Sequence, residues 1–598
     1  MRTDLLIVTL LLSFSISMES KEIINARDRG IVPDTGCDML PSLRALFDDV
    51  ASYGVPVEVR FEPGKYHLFS ERASDCSIIK SVGITIDGAD SLTIDGCGAE
   101  FVGHGAVSPF TFSGCSDLHV KNLVFDWERP LISQGKIVAW NPEYVDVEID
   151  RAEYPYRISG GKAVFYGDDW EGLVSDRSYS TIYDRNGDVL QGTKDYFISR
   201  ENLLFRGEAE ELSDNIIRFH GTPDTYVEPG NRLALYHRLY GGSIFTLTDC
   251  SDVVLSDIDI YHSPGMGAFA VQSEDICLDD FNVIVRPDSG RCFSSVADAL
   301  HFSQCRGKIV VRNSSFGGQG DDALNVHGRY YLVRSVSPDR KSLVLEVTRG
   351  LLSEVPEAGE YIWFVRDGMY VTSHPQPVFS VSDVADSSML LEFEDPLDDA
   401  VSAGCHIENA DWIPDLEVCG CSFAKSNRAR GILFTTSGEV RIHDNEFRSA
   451  GAAILIEGDT DYWFESGPVR DVDIYGNIFI DCATSVRDSI THWGWGEAVI
   501  TVTPSHGPVS DTSLAYHSGI TVRDNIFEVF DYPIVYARSV DGLKFSGNEV
   551  VKTDSYRPVL WHRNMFTFEG CRNVVIDDNV IDEVFMPLKI DDNMKKSL

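Results

Sequence analysis

The stretch Val440-Arg-Ile-His-Asp-Asn-Glu-Phe447 decides the fold, because its eight-residue pattern recurs along most of the chain. Apolar and polar residues alternate over four positions, two small polar residues follow, and an apolar residue ends the unit. Alternation with a period of two predicts a short half-buried strand, with Asn at the bend that follows. Asn suits that bend, since its short amide tolerates left-handed backbone and can bond the same group one rung away.

Copies of the pattern, some imperfect, begin at eleven positions: Leu92, Leu118, Val253, Ile276, Ile309, Leu416, Val440, Val472, Ile520, Leu543 and Val574. Most successive starts are 23 to 33 residues apart, which is typical of rungs that stack on one another. We therefore predict an all-β fold, a right-handed parallel β-helix. A β-sandwich is the alternative, but it has no shared bend residue at a fixed place in every unit.

Two long gaps interrupt the repeat, one of 135 residues between Leu118 and Val253 and one of 107 residues between Ile309 and Leu416. Both are too long for bare loops, and strand-like runs within them predict two β-rich inserted subdomains. The predicted division is 1–20 signal peptide, 21–129 N-terminal cap and first rungs, 130–240 first insertion, 241–329 rungs with the catalytic site, 330–412 second insertion, and 413–598 C-terminal rungs.

The composition limits the possible partners. The chain has 598 residues, 43% of them hydrophobic, and a formal net charge of -42. Such a charge makes nucleic acid and anionic membrane surfaces poor partners, and it argues mildly against a polyanionic polysaccharide.

The N-terminus predicts export. Arg2 is followed by an apolar run from Leu5 that has the length of a secretory signal and is too short to span a bilayer. We expect a periplasmic or secreted protein with no membrane insertion. Several of the 13 cysteines precede repeat strands, as Cys115 and Cys250 do. We expect these to be buried thiols.

Two acidic segments indicate a catalytic site. Asp298-Ala-Leu-His301 and Asp321-Asp322-Ala-Leu-Asn325 are 24 residues apart, the length of one rung. Asp298 and Asp322 should then occupy equivalent places on neighbouring rungs, with Asp321 beside them. Like charges on adjacent rungs cost stability unless they serve a function, so we interpret the three as catalytic carboxylates.

Four polar side chains near the aspartates are candidates for binding substrate. His301 and Asn325 follow their aspartates by three residues, and His327 shares a strand face with Asn325. Arg430 aligns with Asp322 if the following residues form the next strand. Each could instead make a structural hydrogen bond. No His, Cys or carboxylate spacing demands a catalytic metal.

The fuller strings Val296-Ala-Asp-Ala-Leu-His301 and Gly317-Gly-Gln-Gly-Asp-Asp-Ala-Leu-Asn-Val-His-Gly328 resemble glycoside hydrolase family 110. These are bacterial α-1,3-galactosidases, and the chain resembles the polygalacturonase class more distantly. The resemblance implies release of terminal α-1,3-linked galactose, as in blood group B glycans, with inversion and no cofactor. It leaves open whether linear α-1,3-galactosides also serve as substrates.

Glycoside cleavage needs one carboxylic acid to protonate the leaving oxygen and one carboxylate to act at the anomeric carbon. Asp298 and Asp322 should lie about 5 Å apart, which on separation alone suits a retaining enzyme. Because the resemblance implies inversion, we assign Asp298 and Asp322 to the attacking water and Asp321 to the acid.

Two other functions remain open from the sequence. A polygalacturonase-like hydrolase of uronic acid chains would need clustered Lys or Arg in its cleft, which the sequence does not obviously supply. A non-catalytic β-helix glycan-binding protein would tolerate loss of the aspartates, whereas a hydrolase would lose several orders of magnitude in rate.

Overall fold

The structure is a computed structural model that describes residues 21–51, 53–71, 78, 80–167, 170–173, 179–193, 208–221, 227–237, 240–347, 354–385, 387–487, 494–505, 515–558, 563–586, 588 and 590–592. Two long sheets, of 21 and 13 strands, wind around a common core, and all of their strands are parallel except the short strand Glu465–Ser466 of the second sheet. The predicted right-handed parallel β-helix is confirmed. The predicted signal peptide at residues 1–20 lies outside the described residues.

The strands of the larger sheet are Glu22–Asn25, Val57–Arg60, Gly64–Phe69, Asp90–His104, Ser116–Trp127, Ser251–Ile260, Glu274–Val283, Arg306–Arg312, Ser315–Phe316, Pro414–Cys419, Ser422–Phe423, Glu439–His443, Glu446–Phe447, Asp471–Tyr475, Ile478–Ile480, His517–Arg523, Ile526–Val529, Val540–Ser546, Glu549–Lys552, Arg572–Asp577 and Val580–Ile581. Those of the second sheet are Ser81–Asp87, Val107–Ser113, Phe245–Thr248, Ala268–Val271, Leu300–Ser303, Leu324–Arg329, Ile432–Thr435, Ile454–Ile456, Glu465–Ser466, Ile500–Val502, Val535–Arg538, Phe566–Glu569 and Ile590–Asp592.

The register of the larger sheet follows the sequence repeat. All eleven predicted starts pair directly, each with the start on the next rung, from Leu92 opposite Leu118 to Leu543 opposite Val574. Like residues therefore stack inside the helix. The rings of Phe447, Phe479 and Phe527 form one such column, with centroids 5.0 and 4.6 Å apart.

The bend between strands differs from the prediction in one respect. In the clearest copies the left-handed backbone falls on the residue before Asn, such as Asp444 (φ 56°) or Gly476 (φ 65°). In the copies that begin at Leu118 and Ile309 it falls on Asn itself, at Asn122 (φ 57°) and Asn313 (φ 54°). The Asn side chains of the clearest copies form the predicted ladder between rungs. Asn477 Nδ2 donates to Asn525 Oδ1 at 3.0 Å, and Asn525 Nδ2 donates to Asn548 Oδ1 at 3.0 Å. The ladder satisfies buried polar groups at the bends from Asn445 to Asn579.

One α-helix of the described residues packs against early strands of the β-helix. The helix Leu40–Val50 buries its apolar face, and Phe47 packs edge-on against Phe110 at 6.1 Å. Short 3₁₀ helices occur at Ala26–Arg29 and Glu583–Phe585. Cys115 and Cys250 are buried, as expected.

Both insertions are antiparallel. The first contains a six-stranded sheet (Ile132–Asn141, Tyr144–Glu148, Tyr179–Tyr183, Ala209–Ser213, Ile216–His220 and Arg232–Tyr236) and a three-stranded sheet (Tyr156–Ser159, Lys162–Tyr166 and Glu171–Leu173). The second contains one sheet of eight strands (Tyr331–Val336, Ser342–Glu346, Tyr361–Arg366, Met369–Tyr370, Gln376–Pro377, Ser380–Ala385, Ser388–Glu392 and His406–Asn409). It leaves the β-helix directly after the strand Leu324–Arg329, which carries two of the predicted site residues.

Candidate active site

Three neighbouring strands of the second sheet bring the acidic segments together. Leu300 pairs with Leu324, and Leu324 pairs with Ile432. Two residues earlier on each rung, the same register stacks Asp298, Asp322 and Arg430 at the turn that enters the sheet. Asp321 lies beside this column.

Asp322 is held by Arg430. The guanidinium donates from Nε to Oδ1 and from Nη2 to Oδ2, both at 2.7 Å, and the Arg430 backbone N–H donates to Oδ1 at 3.0 Å. Asp322 is only 2% exposed. A bidentate arginine is among the strongest partners for a carboxylate, so this pair fixes one negative charge at the base of the site.

Asp298 belongs to a buried hydrogen-bond chain with two histidines. His327 Nδ1 lies 2.7 Å from the Gly328 carbonyl oxygen, which can only accept, so Nδ1 carries the hydrogen. Burial lowers the pKa of His327 well below its usual value, so the ring is neutral and its Nε2 accepts from His301 Nε2 at 2.9 Å.

Burial also lowers the pKa of His301, to about 4, so its Nδ1 is an acceptor facing Asp298 Oδ2 at 2.7 Å. The hydrogen of that bond therefore belongs to Asp298. Burial, and then the charge of Asp322, raises the pKa of Asp298 well above its usual value, in agreement with this assignment. The remaining Asp298 oxygen accepts from the Asp322 backbone N–H at 3.1 Å.

Asp321 is the most accessible of the three carboxyl groups, with 34% of its side chain exposed. Burial of the carboxyl raises its pKa to about 8, although the nearby Arg428 guanidinium opposes the rise. Arg428 Nη1 lies 3.3 Å from Asp321 Oδ1 and also donates to the Gly320 carbonyl at 2.7 Å. An accessible carboxyl that stays protonated at neutral pH has the properties of a general acid.

The four predicted substrate-binding residues fall into two groups. Arg430, His301 and His327 are engaged with other protein groups, as described above. Asn325 is 5% exposed, and its Oδ1 accepts no hydrogen bond from any residue that the structure describes. A buried amide oxygen without a donor is costly, and Asn325 is the one of the four whose side chain has such an oxygen, although the oxygen is closed to solvent.

Sequence reasoning missed three residues around the carboxylates. Glu465 Oε1 lies 3.7 Å from His327 Nε2, and burial raises the pKa of Glu465 to about 7. Burial likewise raises the pKa of Glu457 to about 8, opposed by Arg430. The third residue, Tyr240, is 47% exposed, and its pKa is raised by desolvation and then by the charges of Asp321 and Asp298.

Different signals could have found these residues. Ile456 pairs with Phe434, and Phe434 with Val326, so extending the register by one residue brings Glu457 into the column of His327. Glu465 reaches the site through an antiparallel pairing with Arg329. The sequence repeat does not predict this pairing, because it predicts only parallel pairing between successive rungs.

The carboxylates could also hold a metal ion, because one oxygen of each lies within 4.8 Å of the others. Arg430 already binds both oxygens of Asp322, and Asp298 is bonded to His301. The sequence-based expectation of no metal stays a prediction.

A parallel β-helix that places an accessible acid beside an arginine-bound carboxylate has the fold and site of a β-helix glycoside hydrolase. Residues 133–233 match the family GLAA-B beta-barrel domain I. The chain is 31% identical to alpha-1,3-galactosidase B of Bacteroides thetaiotaomicron, covering 97% of this chain and 95% of that one. It is 31% identical to alpha-1,3-galactosidase B of Bacteroides fragilis, covering 97% and 100%.

The chain therefore belongs to the α-1,3-galactosidase family of glycoside hydrolases. Among solved structures, the family 28 exopolygalacturonase of Yersinia enterocolitica aligns with a TM-score of 0.37 and 11% identity, over 94% of this chain and 78% of that one. No helix of the described residues is long and apolar enough to cross a membrane.

Proposed function

We propose that the protein is an exo-acting, inverting glycosidase that releases terminal α-1,3-linked galactose from glycans of the blood group B type. One observation carries the proposal: an accessible carboxyl with a pKa of about 8, Asp321, lies beside the arginine-bound carboxylate of Asp322. A pair of carboxyl groups in opposite protonation states is what glycoside hydrolysis requires. The names of the relatives support galactose as the sugar.

In the proposed reaction, Asp321 donates its proton to the glycosidic oxygen as the bond from that oxygen to the anomeric carbon breaks. A water molecule attacks the anomeric carbon from the opposite face and loses a proton to Asp322. Asp298 hydrogen-bonds to the same water and orients it, and His301 keeps the Asp298 carboxyl in place. Arg430 holds the Asp322 carboxylate in place through two hydrogen bonds.

The distance between the carboxyl groups is short for an enzyme that inverts the anomeric configuration. Inverting pairs are usually about 6.5 to 9.5 Å apart, which leaves room for the water between acid and base. Here the closest oxygens of the three groups lie within 4.8 Å. The water must therefore sit against the Asp298 and Asp322 pair, on the side of the sugar away from the Asp321 proton.

Two residues supply contacts for the sugar. Asn325 accepts a hydrogen bond from a sugar hydroxyl at its unpartnered amide oxygen once substrate binding displaces the side chains that cover that oxygen. Tyr240 presents a half-exposed ring close to Asp321 and Asp298, and an aromatic ring packs well against the apolar C–H face of a sugar.

The test is galactose release from blood group B trisaccharide, from linear α-1,3-galactobiose and from oligogalacturonate. We expect the wild-type protein to release galactose from the trisaccharide and Asp321→Asn to release at least about 100-fold less. Asp252→Asn is the matched control, since Asp252 is an exposed residue three rungs before Asp321 whose left-handed backbone (φ 52°) Asn also tolerates.

Cleavage of oligogalacturonate alone would identify a polygalacturonase-like enzyme and contradict the proposal. Binding of the trisaccharide without any release, unchanged in Asp321→Asn, would indicate a glycan-binding protein instead.

We also propose that the protein is exported through its N-terminal signal. Sequencing the N-terminus of protein purified from an expressing bacterium should find a chain that begins near residue 20. A mature protein that retains Met1 would contradict this proposal.

A further inference from the structure

A second cluster of reactive side chains lies on the larger sheet. The strands Pro414–Cys419 and Glu439–His443 are neighbours, and Cys419 pairs directly with His443. Glu417 is two residues before Cys419 and therefore points to the same face. One ligand atom from each of Glu417, Cys419 and His443 lies within 4.8 Å of the others, and all three residues are half-buried.

The imidazole of His443 is oriented by a partner behind it. Nδ1 donates to Asp444 Oδ2 at 2.8 Å, so in the neutral ring Nε2 has a free lone pair. Nε2 faces Glu417 Oε1 at 3.5 Å. The ring also stacks on Tyr475, with centroids 4.8 Å apart and planes within 6°. A carboxylate that fixes the tautomer and the ring plane of a histidine is the usual second layer of a protein metal site.

The neighbouring cations leave the three ligand atoms accessible. Lys308 Nζ binds Glu417 Oε2 at 2.5 Å, so Oε1 remains directed towards His443. Arg312, which precedes Cys419 in the same column, is held by Asp279 at 2.8 Å. Glu417 can therefore coordinate through one oxygen while Lys308 keeps the other.

We propose that Glu417, Cys419 and His443 form a zinc site outside the catalytic centre. A thiolate, an imidazole and a carboxylate are the donors that zinc prefers, and a water molecule would complete the tetrahedron. The Cys419 thiol releases its proton to solvent when the metal binds. The strand Pro414–Cys419 is the first rung after the second insertion. Zinc would therefore tie that rung to the next and stabilise the return of the chain to the β-helix.

The ligands escape detection in the sequence because they come from two rungs. Cys419-Gly-Cys421 lacks the spacing of a zinc motif. Cys421 instead lies in the interior of the β-helix, where its backbone N–H donates to Asn445 Oδ1 at 2.8 Å. Only the pairing of Cys419 with His443 completes the donor set.

The experiment is a titration of the metal-free protein with Co²⁺, followed by displacement with Zn²⁺. Cobalt bound to a thiolate gives a charge-transfer absorption band in the near ultraviolet, whereas cobalt bound only to carboxylates does not. We expect the wild-type band to saturate at one cobalt per chain, to vanish when zinc is added and to be absent in Cys419→Ser. Cys277→Ser is the control, since Cys277 is a half-buried cysteine two rungs away.

Asp444→Asn should bind cobalt about 10- to 100-fold more weakly, because the ring loses its fixed tautomer. Asn tolerates the left-handed backbone at this position (φ 56°), so the variant should fold normally. His443→Gln should lose the band, and zinc should raise the unfolding temperature of the wild type but not of this variant.

Galactosidase activity should be unchanged in all of these variants, so this result is separable from a failure of the proposed function. Absence of the band in the wild type, or an equal band in Cys419→Ser, would overturn the zinc site.

Discussion

Arg428 offers a quantitative test of the acid, because it lies 3.3 Å from Asp321 and opposes the rise in the pKa of that carboxyl. A general acid works only while protonated, so kcat/KM should be high below a pH of about 8 and fall as the pH rises through that value. An opposite charge this close lowers a carboxyl pKa by about 1 to 3. The lower figure applies here, since solvent screens the one-third exposed Asp321.

Replacing Arg428 by Gln should therefore raise the pKa of Asp321 from about 8 to about 9 and move the alkaline limb of kcat/KM by the same amount. Arg428→Lys is the control, because it keeps the charge and should leave the limb near its original position. The assay is hydrolysis of blood group B trisaccharide across neutral and alkaline pH, since kcat/KM reports ionisations of the free enzyme.

Arg428 also packs on Trp495, with its guanidinium carbon 5.3 Å from the ring centroid, so thermal unfolding of both variants should be measured first. An alkaline limb that stays in place in a folded Arg428→Gln variant, or that moves to lower pH, would refute Asp321 as the acid.

Further outcomes are expected from single variants and from a chelator. Asp321→Asn should lose at least about 100-fold in kcat on the trisaccharide. It should lose much less on 4-nitrophenyl α-galactoside, because that leaving group needs no proton. Equal losses on the two substrates would contradict the role of Asp321 as the acid. Asn477→Ala should lower the free energy of unfolding by about 2 to 4 kcal/mol, because it leaves buried ladder partners unsatisfied. Asn579→Ala, at the half-exposed end of the ladder, should cost about 1 kcal/mol, and equal costs in denaturant titrations would contradict the ladder account. Tyr240→Ala should raise KM about tenfold with little change in kcat, and a loss confined to kcat would remove its role as a sugar platform. EDTA should leave the initial rate unchanged, because Arg430 already binds both oxygens of Asp322.

The repeat pattern predicts the fold and the stacking of the site because both depend on register. Once Leu324 pairs with Leu300 and Ile432, the positions of Asp298, Asp322 and Arg430 follow from counting residues. Counting works in a solenoid because neighbouring rungs contact each other in order along the chain.

The remaining features depend on contacts that counting cannot give. Glu465 arrives through an antiparallel pairing, and Tyr240 lies at the return from the first insertion. The hydrogen bond from Asp298 to His301 depends on side-chain orientation and burial. The left-handed bend falls on Asp444, not on Asn445, because the ladder amide must point inward to meet the next rung.

The most direct test of the account is the anomer of galactose that first appears when blood group B trisaccharide is hydrolysed, followed by proton NMR. Attack by a water held by Asp298 and Asp322, opposite the Asp321 proton, predicts β-galactose first, with α-galactose appearing later through mutarotation. Initial α-galactose would mean that a carboxylate attacks the sugar directly, which would contradict the assigned roles.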